Sequence, residues 1–480
     1  MALWGVPFWL IGCARQEPPK PQLLLAPQSA PVSSATKLAE PQRGGSANLG
    51  QATTATRRSG SIPDELPQLD LDGSDEPESE GSGPAPTAGH FERVGRAPIS
   101  LRQICDLTPL GERLFAAHSL SALSADGATV SSYQKSDQKH PFTVAFDWNR
   151  PGQPAKGGGA GQGFLRVRNI GGRLFVPDAD PPYNGFGLLD WGTEGYLFVS
   201  SPDGKFAPSL RPNFRPPGRP TLAGKPGASV LPRAYHVFDV IRFRGKLIAS
   251  TGAVPPKERA WVGPSPGALH IATDDLSRFD YAFSYPNPYH DGVYRLTFLV
   301  RFKDKLFAGI EDYDGRALHD LVVLAPPRDR KELSQEMLQP LRITEGGAAQ
   351  TMRFYTHQGV LYWIAWGHDG VRLRRSTDGE HFTPIGLPVD AGAPLDIVGY
   401  RGALYVLAEY GLYRYEPNNL LEVARIPGKS SPFQLRDALC AAPLAVFDND
   451  LYAGSQRDGA LYRFVAEAPA EPSAAGVVAP

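Results

Sequence analysis

Arg166, Arg295 and Arg353 are the residues whose type first suggests chemistry. Guanidinium groups converging on one point hold a carboxylate. Hydrolysis of a carboxylate-bearing substrate would also need a nucleophile and an acid/base group beside them. Tyrosines and acidic residues abound in the chain, but no motif ties them to these arginines.

Two of the three belong to a wider pattern. Eight residues before each of Leu114, Leu174, Leu247, Leu306, Leu361, Leu404 and Leu451 stand Asp106, Arg166, Asp239, Phe298, Arg353, Asp396 and Pro443. Charge recurs at one register within otherwise apolar segments. That pattern fits either a solvated tunnel of mutually paired charges or a polar ligand or ion site at its mouth. Trp366, His368, Glu409 and Tyr410 are further candidate ligand residues, in loops shared with Asp178, Asp180, Tyr183, Trp191, Glu311, Asp312, Tyr313, Asp314 and Asp369. His290-Asp291-Gly292 and His368-Asp369-Gly370 look like metal ligands, but they stand where Asp-Gly turns belong and carry no i,i+4 histidine pair. No metal and no cofactor is expected.

The elements that must position these residues repeat. Around each leucine runs an apolar residue, a short polar turn and Leu followed by an aromatic or Ile, as in Ile170-Gly-Gly-Arg-Leu174-Phe175 and Tyr400-Arg-Gly-Ala-Leu404-Tyr405. Each copy reads as two strands joined by a tight turn, and a glycine-opened third strand often follows. Seven copies, recurring about every 50 residues, predict an all-β fold: a single seven-bladed β-propeller over residues 91–466. The last unit lacks an outer strand, so residues 91–101 are expected to pair there and close the ring. Residues 330–338 read as a helix. The basic, proline-rich residues 207–233 and the glycine-rich residues 149–163 read as loops.

Two turns carry a resemblance. Ser201-Pro-Asp203-Gly204-Lys-Phe206 and Ser376-Thr-Asp378-Gly379-Glu-His-Phe382 resemble the Asp-box hairpin of sialidase-like propellers, with Gly directly after the Asp and Phe where Trp is usual. The resemblance implies the fold. With Arg166, Arg295 and Arg353 it also supplies an alternative function, a sialidase-like glycosidase or other hydrolase working at the central mouth.

Before the propeller the composition changes. Residues 14–90 contain no Phe, Tyr or Trp and are rich in Pro, Ser and acidic residues, too little apolar mass to offset the entropy of ordering. They are expected to be a disordered tether, and residues 467–480 a disordered tail. Met1–Gly12 is almost wholly apolar, too short to span a bilayer, and fits a signal segment. Its end, Leu10-Ile-Gly-Cys13, resembles the bacterial lipobox, which implies lipidation at Cys13, although no Lys or Arg precedes it. Cys105 and Cys440 then remain, in the inner strands of the first and last units. In an oxidising compartment a disulfide between them would clasp the closed ring; otherwise they are two buried thiols.

Among 480 residues, 49 Lys and Arg against 50 Asp and Glu exclude a global field for nucleic acid. The expectation is therefore an exported, monomeric binding or scaffold protein. It would be lipid-anchored to the outer membrane, periplasmic or at the cell surface, with a protein, glycan or envelope component as partner.

Overall fold

The computed structural model describes residues 81–99, 103–119, 128–148, 163–179, 194–206, 227–253, 266–273, 278–285, 294–312, 315–330, 332–417 and 419–467. The expected leader with Cys13, most of the tether and the tail lie outside them. So do Asp180, Tyr183, Trp191, His290, Asp291, Tyr313 and Asp314.

The described chain is built from antiparallel strands, with two short 3-10 turns besides. After β1 (Gly89–Arg96), the strands β2 (Gln103–Leu110), β3 (Arg113–Ser119), β4 (Thr129–Tyr133) and β5 (Phe142–Asp147) form one four-stranded sheet. The next holds β6 (Arg168–Ile170), β7 (Arg173–Pro177), β8 (Glu194–Val199) and β9 (Gly227–Pro232). Eight strands follow in a single curled sheet. They are β10 (Ala234–Phe243), β11 (Lys246–Ala253), β12 (Gly267–Ala272), β13 (Phe279–Tyr285), β14 (Tyr294–Phe302), β15 (Lys305–Asp312), β16 (Leu321–Leu324) and β17 (Leu338–Leu341). Two further four-stranded sheets comprise β18 (Gln350–His357), β19 (Val360–Gly367), β20 (Gly370–Ser376) and β21 (Thr383–Ile385), then β22 (Pro394–Tyr400), β23 (Ala403–Ala408), β24 (Gly411–Glu416) and β25 (Asn419–Arg425). The last contains β26 (Leu444–Phe447), β27 (Asp450–Gly454) and β28 (Ala460–Ala466), with β1 as its outer strand. This is an all-β, propeller-like ring.

Where seven separate sheets were expected, there are five four-stranded sheets and one of eight strands. The larger sheet is two meanders, β10–β13 and β14–β17, joined by one backbone pairing, Gly252 with Arg295. Gly252 permits the approach, since a Cβ there would lie 2.9 Å from Arg295 Cγ.

The repeated hairpins obey their turn chemistry. Both central residues have positive φ at Gly171-Gly172, Arg244-Gly245, Gln358-Gly359, Arg401-Gly402 and Asp448-Asn449, which matches the twist of the flanking strands. Closure uses the N-terminal strand: Gly89 pairs with Ala466 and Arg96 with Ala460, so β28 is not left as an open edge. The tether ends earlier than expected, because residues 81–88 already touch the ring. The Tyr405 hydroxyl donates to Pro86 O at 2.9 Å, and Ser82 N–H to Asn449. Phe91 then packs edge-on against Phe433 with centroids 5.1 Å apart.

Two other expectations are corrected. Residues 330–338 hold no helix, because Gln335–Met337 make a single 3-10 turn that buries Met337 and delivers the chain into the outer strand β17. The segment read as a basic loop over 207–233 ends as strand β9, since β8 needs an outer partner.

Cys105 and Cys440 are disulfide-bonded, with Cα atoms 4.4 Å apart, linking β2 to the segment before β26. The bridge is fully buried in an apolar cluster with Leu165, Ala179, Phe238 and Phe298. Apart from Ala179, which follows β7, these residues come from the inner segments of their units.

Candidate functional site

Each of β2, β10, β14, β18 and β22 carries a bulge at the shared register, charged in all but β14, where pairing shifts between Ile104 and Asp106, Val237 and Asp239, Leu296 and Leu299, Thr351 and Arg353, and Pro394 and Asp396. A bulge sets two residues opposite one and bends the strand, which re-aims the following side chain. The common spacing thus reflects a repeated backbone device as well as a common depth.

The three register aspartates perform one task. Asp106 accepts the Val167 N–H at 3.0 Å, Asp239 the Leu299 N–H at 2.9 Å and Asp396 the Leu444 N–H at 2.7 Å. In every case the donor belongs to the inner segment of the next unit, one residue past its own register position. Asp239 and Asp396 also accept the N–H of their own following residue at 2.9 Å. Each carboxylate thereby stitches neighbouring inner segments where those segments have no ladder between them.

The cations are held differently. Arg168 forks onto Asp239 at 2.9 and 2.7 Å. Arg166 reaches Asp106 only at 3.4 Å and lays its guanidinium over the Phe298 ring, 4.1 Å from the centroid. Arg353 stands 3.5 Å from Asp396, and its Nη2 donates to Ala441 O at 3.0 Å and to Cys105 O. The Arg166 Nε and the Arg353 Nε and Nη1 are buried without a hydrogen-bond acceptor.

Asp106, Arg166, Arg168, Arg353 and Asp396 form the floor of an axial cavity of about 910 Å³. Its walls are the later halves of the inner strands, including Thr108, Tyr355, Val398 and Val446, and its rim includes the hairpin residues Glu112, Gly171 and Asp448. The opening therefore lies on the face of the first hairpin turns. The loops that carry the further candidates Trp366, His368, Glu409 and Tyr410 do not contribute to its lining.

Electrostatics follow from depth. Burial pulls the Arg166 guanidinium down to about 10, with the Arg353 charge adding to the shift and the Asp106 and Asp239 charges opposing it. Burial pushes the Asp239 carboxyl up, but the charge and hydrogen bonds of Arg168 more than reverse this, so it lies below the usual range. Asp396 is pushed up by burial, and the Arg353 charge only partly offsets the rise.

The remaining candidates lie elsewhere. Arg295 sits at the entry end of β14, bonded to Glu311 at 2.7 Å, and does not line the cavity with Arg166 and Arg353. Glu409 accepts the N–H groups of Ala393 at 3.0 Å and Leu435 at 2.9 Å, tying two loops together. Tyr410 closes the turn before β24, while Trp366 and His368 are exposed at the end of β19. None of these four lines the axial cavity. Among the described residues no group of three or more His, Cys, Asp or Glu is placed to hold a metal ion. Arg168 escaped the sequence reading, although strand alternation puts it on the same face as Arg166, two residues earlier.

No family model matches the chain, and no curated protein matches it. Solved structures with a similar course include a catalytically inactive variant of virginiamycin B lyase from Staphylococcus aureus (9% identity, TM-score 0.44, covering 78% of this chain and 99% of that one). A putative 6-phosphogluconolactonase from Bacteroides fragilis aligns at 12% identity and TM-score 0.40, over 72% of this chain and 98% of that one. The β-propeller domain of the Trilobed protease from Pyrococcus furiosus aligns at 10% identity and TM-score 0.40, over 77% and 94%.

Proposed function

We propose that this chain is a binding protein whose propeller takes a small molecule into the axial cavity from the first-turn face. The observation that carries the reading is the cavity itself. At about 910 Å³ it falls within the size of small-molecule sites, and buried charged side chains on bulged inner strands form its floor. Its register carboxylates are committed to backbone N–H groups, an arrangement suited to holding shape rather than to exchanging protons. We count the two meanders of the eight-stranded sheet as separate blades, which makes seven around the ring. The apolar Met1–Gly12 ending in Cys13 supports export as a lipid-anchored monomer, with the aromatic-free segment as tether.

Asn169, exposed at the rim, allows a direct test. A thermal-shift screen of a mixed neutral and charged metabolite library should raise the Tm of the parent with at least one compound, and the shift should vanish in Asn169→Trp. Absence of any shift in the parent, or equal shifts in both proteins, would refute the site. For the anchor, a palmitate analogue should label the parent and not Cys13→Ala; equal labelling would exclude lipidation there.

A further inference from the structure

The cavity floor has an unequal supply of donors and acceptors. Asp396 spends both oxygens on backbone N–H groups, from Ile397 at 2.9 Å and Leu444 at 2.7 Å. Asp106 spends one on Val167 N–H and meets Arg166 only at the long distance of 3.4 Å. The arginine side chains, 8% exposed at Arg166 and 2% at Arg353, keep the Arg166 Nε and the Arg353 Nε and Nη1 without acceptors. A buried donor left unmade is costly, most of all when it carries charge. Both guanidinium groups line the same cavity, and their like charges act against each other there.

Both arginines are pinned in place. Arg353 is anchored through Nη2 to the carbonyls of Ala441 and Cys105, the latter part of the disulfide, so it cannot swing out to solvent without breaking those bonds. Arg166 rests on the face of Phe298. At the rim, the ammonium of Lys135 is already engaged by Asp448 at 2.9 Å and Asp450 at 3.0 Å, so the demand for negative charge is concentrated at the floor.

We propose that Arg166 and Arg353 form an oxyanion-binding floor, and that the molecule taken up is a small metabolite carrying a carboxylate or phosphate group. Its oxygens reach the part of the Arg166 side chain that stays 8% exposed to the cavity, and its charge relieves the repulsion between the two guanidinium groups. This assignment rests on the axial cavity being the binding site.

Isothermal titration calorimetry on the full-length protein tests it, with citrate, inorganic phosphate and neutral glucose as probes. The expected result is saturable binding of citrate or phosphate and none of glucose, citrate binding alone marking a carboxylate site and phosphate binding alone a phosphate site. Arg166→Gln and Arg353→Lys should each weaken the bound anion about tenfold or more, as loss of a charge-assisted hydrogen bond does. Far-UV circular dichroism checks that both variants are folded, and if Arg353→Lys is not, Arg166→Gln carries the test. Arg278→Gln, whose partner Asp280 lies on the outer strand β13, should bind as the parent does. Equal affinity in the parent and the floor variants overturns the proposal, and so does silence of both anions. In the latter case, a neutral library compound that binds the parent but not Asn169→Trp leaves the cavity standing without the anion.

Discussion

Asp239 and Asp396 occupy the same register on β10 and β22, follow equivalent bulges and accept two equivalent backbone N–H groups each. They differ in the cation they meet. Arg168 forks onto Asp239 with both bonds under 3 Å, and Asp239 is completely buried. At Asp396 the nearest guanidinium stands off at 3.5 Å, because Arg353 is drawn by Nη2 toward the carbonyls beside the disulfide. The backbone geometry of a propeller unit thus brings the next unit's amide to the carboxylate at Asp106, Asp239 and Asp396, and the residue's own following amide at the latter two. Whether the carboxylate is also neutralised depends on which neighbouring strand delivers a side chain. Asp239 is thus paired closely, whereas beside Asp396 the Arg353 guanidinium keeps donors unpaired.

Substitution should expose this difference. The largest effect is expected for Asp239→Ala, which takes the carboxylate from Arg168 and from two buried amides; it should cost about 4 kcal/mol in urea unfolding. A loss under about 1 kcal/mol would show that the fork contributes little. Asp396→Ala removes the same two amide acceptors but no close ion pair, and about 2 kcal/mol is expected. A loss as large as that at Asp239 would erase the distinction.

The smallest effect should appear in the pH dependence, where the two sites carry opposite signs. The Asp239 carboxyl lies below its unfolded value, so its contribution is present above about pH 4 and is lost as pH falls through its folded value. The Asp396 carboxyl lies above its unfolded value, so the folded state binds the extra proton. Its contribution is present at acid pH and is lost as pH rises from about 4 through its folded value. Unfolding free energies of Asp239→Asn and Asp396→Asn, measured against the parent between about pH 3 and 6, should therefore diverge in opposite directions. Parallel profiles would contradict the assignment.

Much of the architecture was legible because the hairpin repeats. A turn such as Arg401-Gly402 specifies left-handed backbone locally, and the leucine that follows marks the second strand, so each unit announces itself. The missing outer strand of the last unit and the strand-like segment near residue 91 likewise pointed to each other. The misread stretches were those whose conformation a distant partner supplies. Residues 335–341 turn into β17 because β16 offers an open edge, and residues 227–232 extend because β8 does. Residues 81–88, read as tether, are held by Tyr405 and Asn449, more than three hundred positions away.

The candidate site divides along the same line. Charge at one register could be counted along the chain, since spacing from a repeated leucine is a local property. Which of those charges meet could not. Arg295 falls away to Glu311, Arg168 enters unannounced and Glu409 becomes a loop tie, because ion pairing depends on how inner strands from different units approach the axis. The face that opens was also beyond the sequence. It depends on where the Cys105–Cys440 bridge and the rings of Phe238 and Phe298 pack, and packing at the centre of a ring is shared among units far apart in the chain. The sequence by itself determined the repeat, the turns, the register of charge and the two ends that meet. Only the tertiary structure decided which guanidinium groups found acceptors, because hydrogen bonding is settled by ångström-scale approach and not by spacing along the chain.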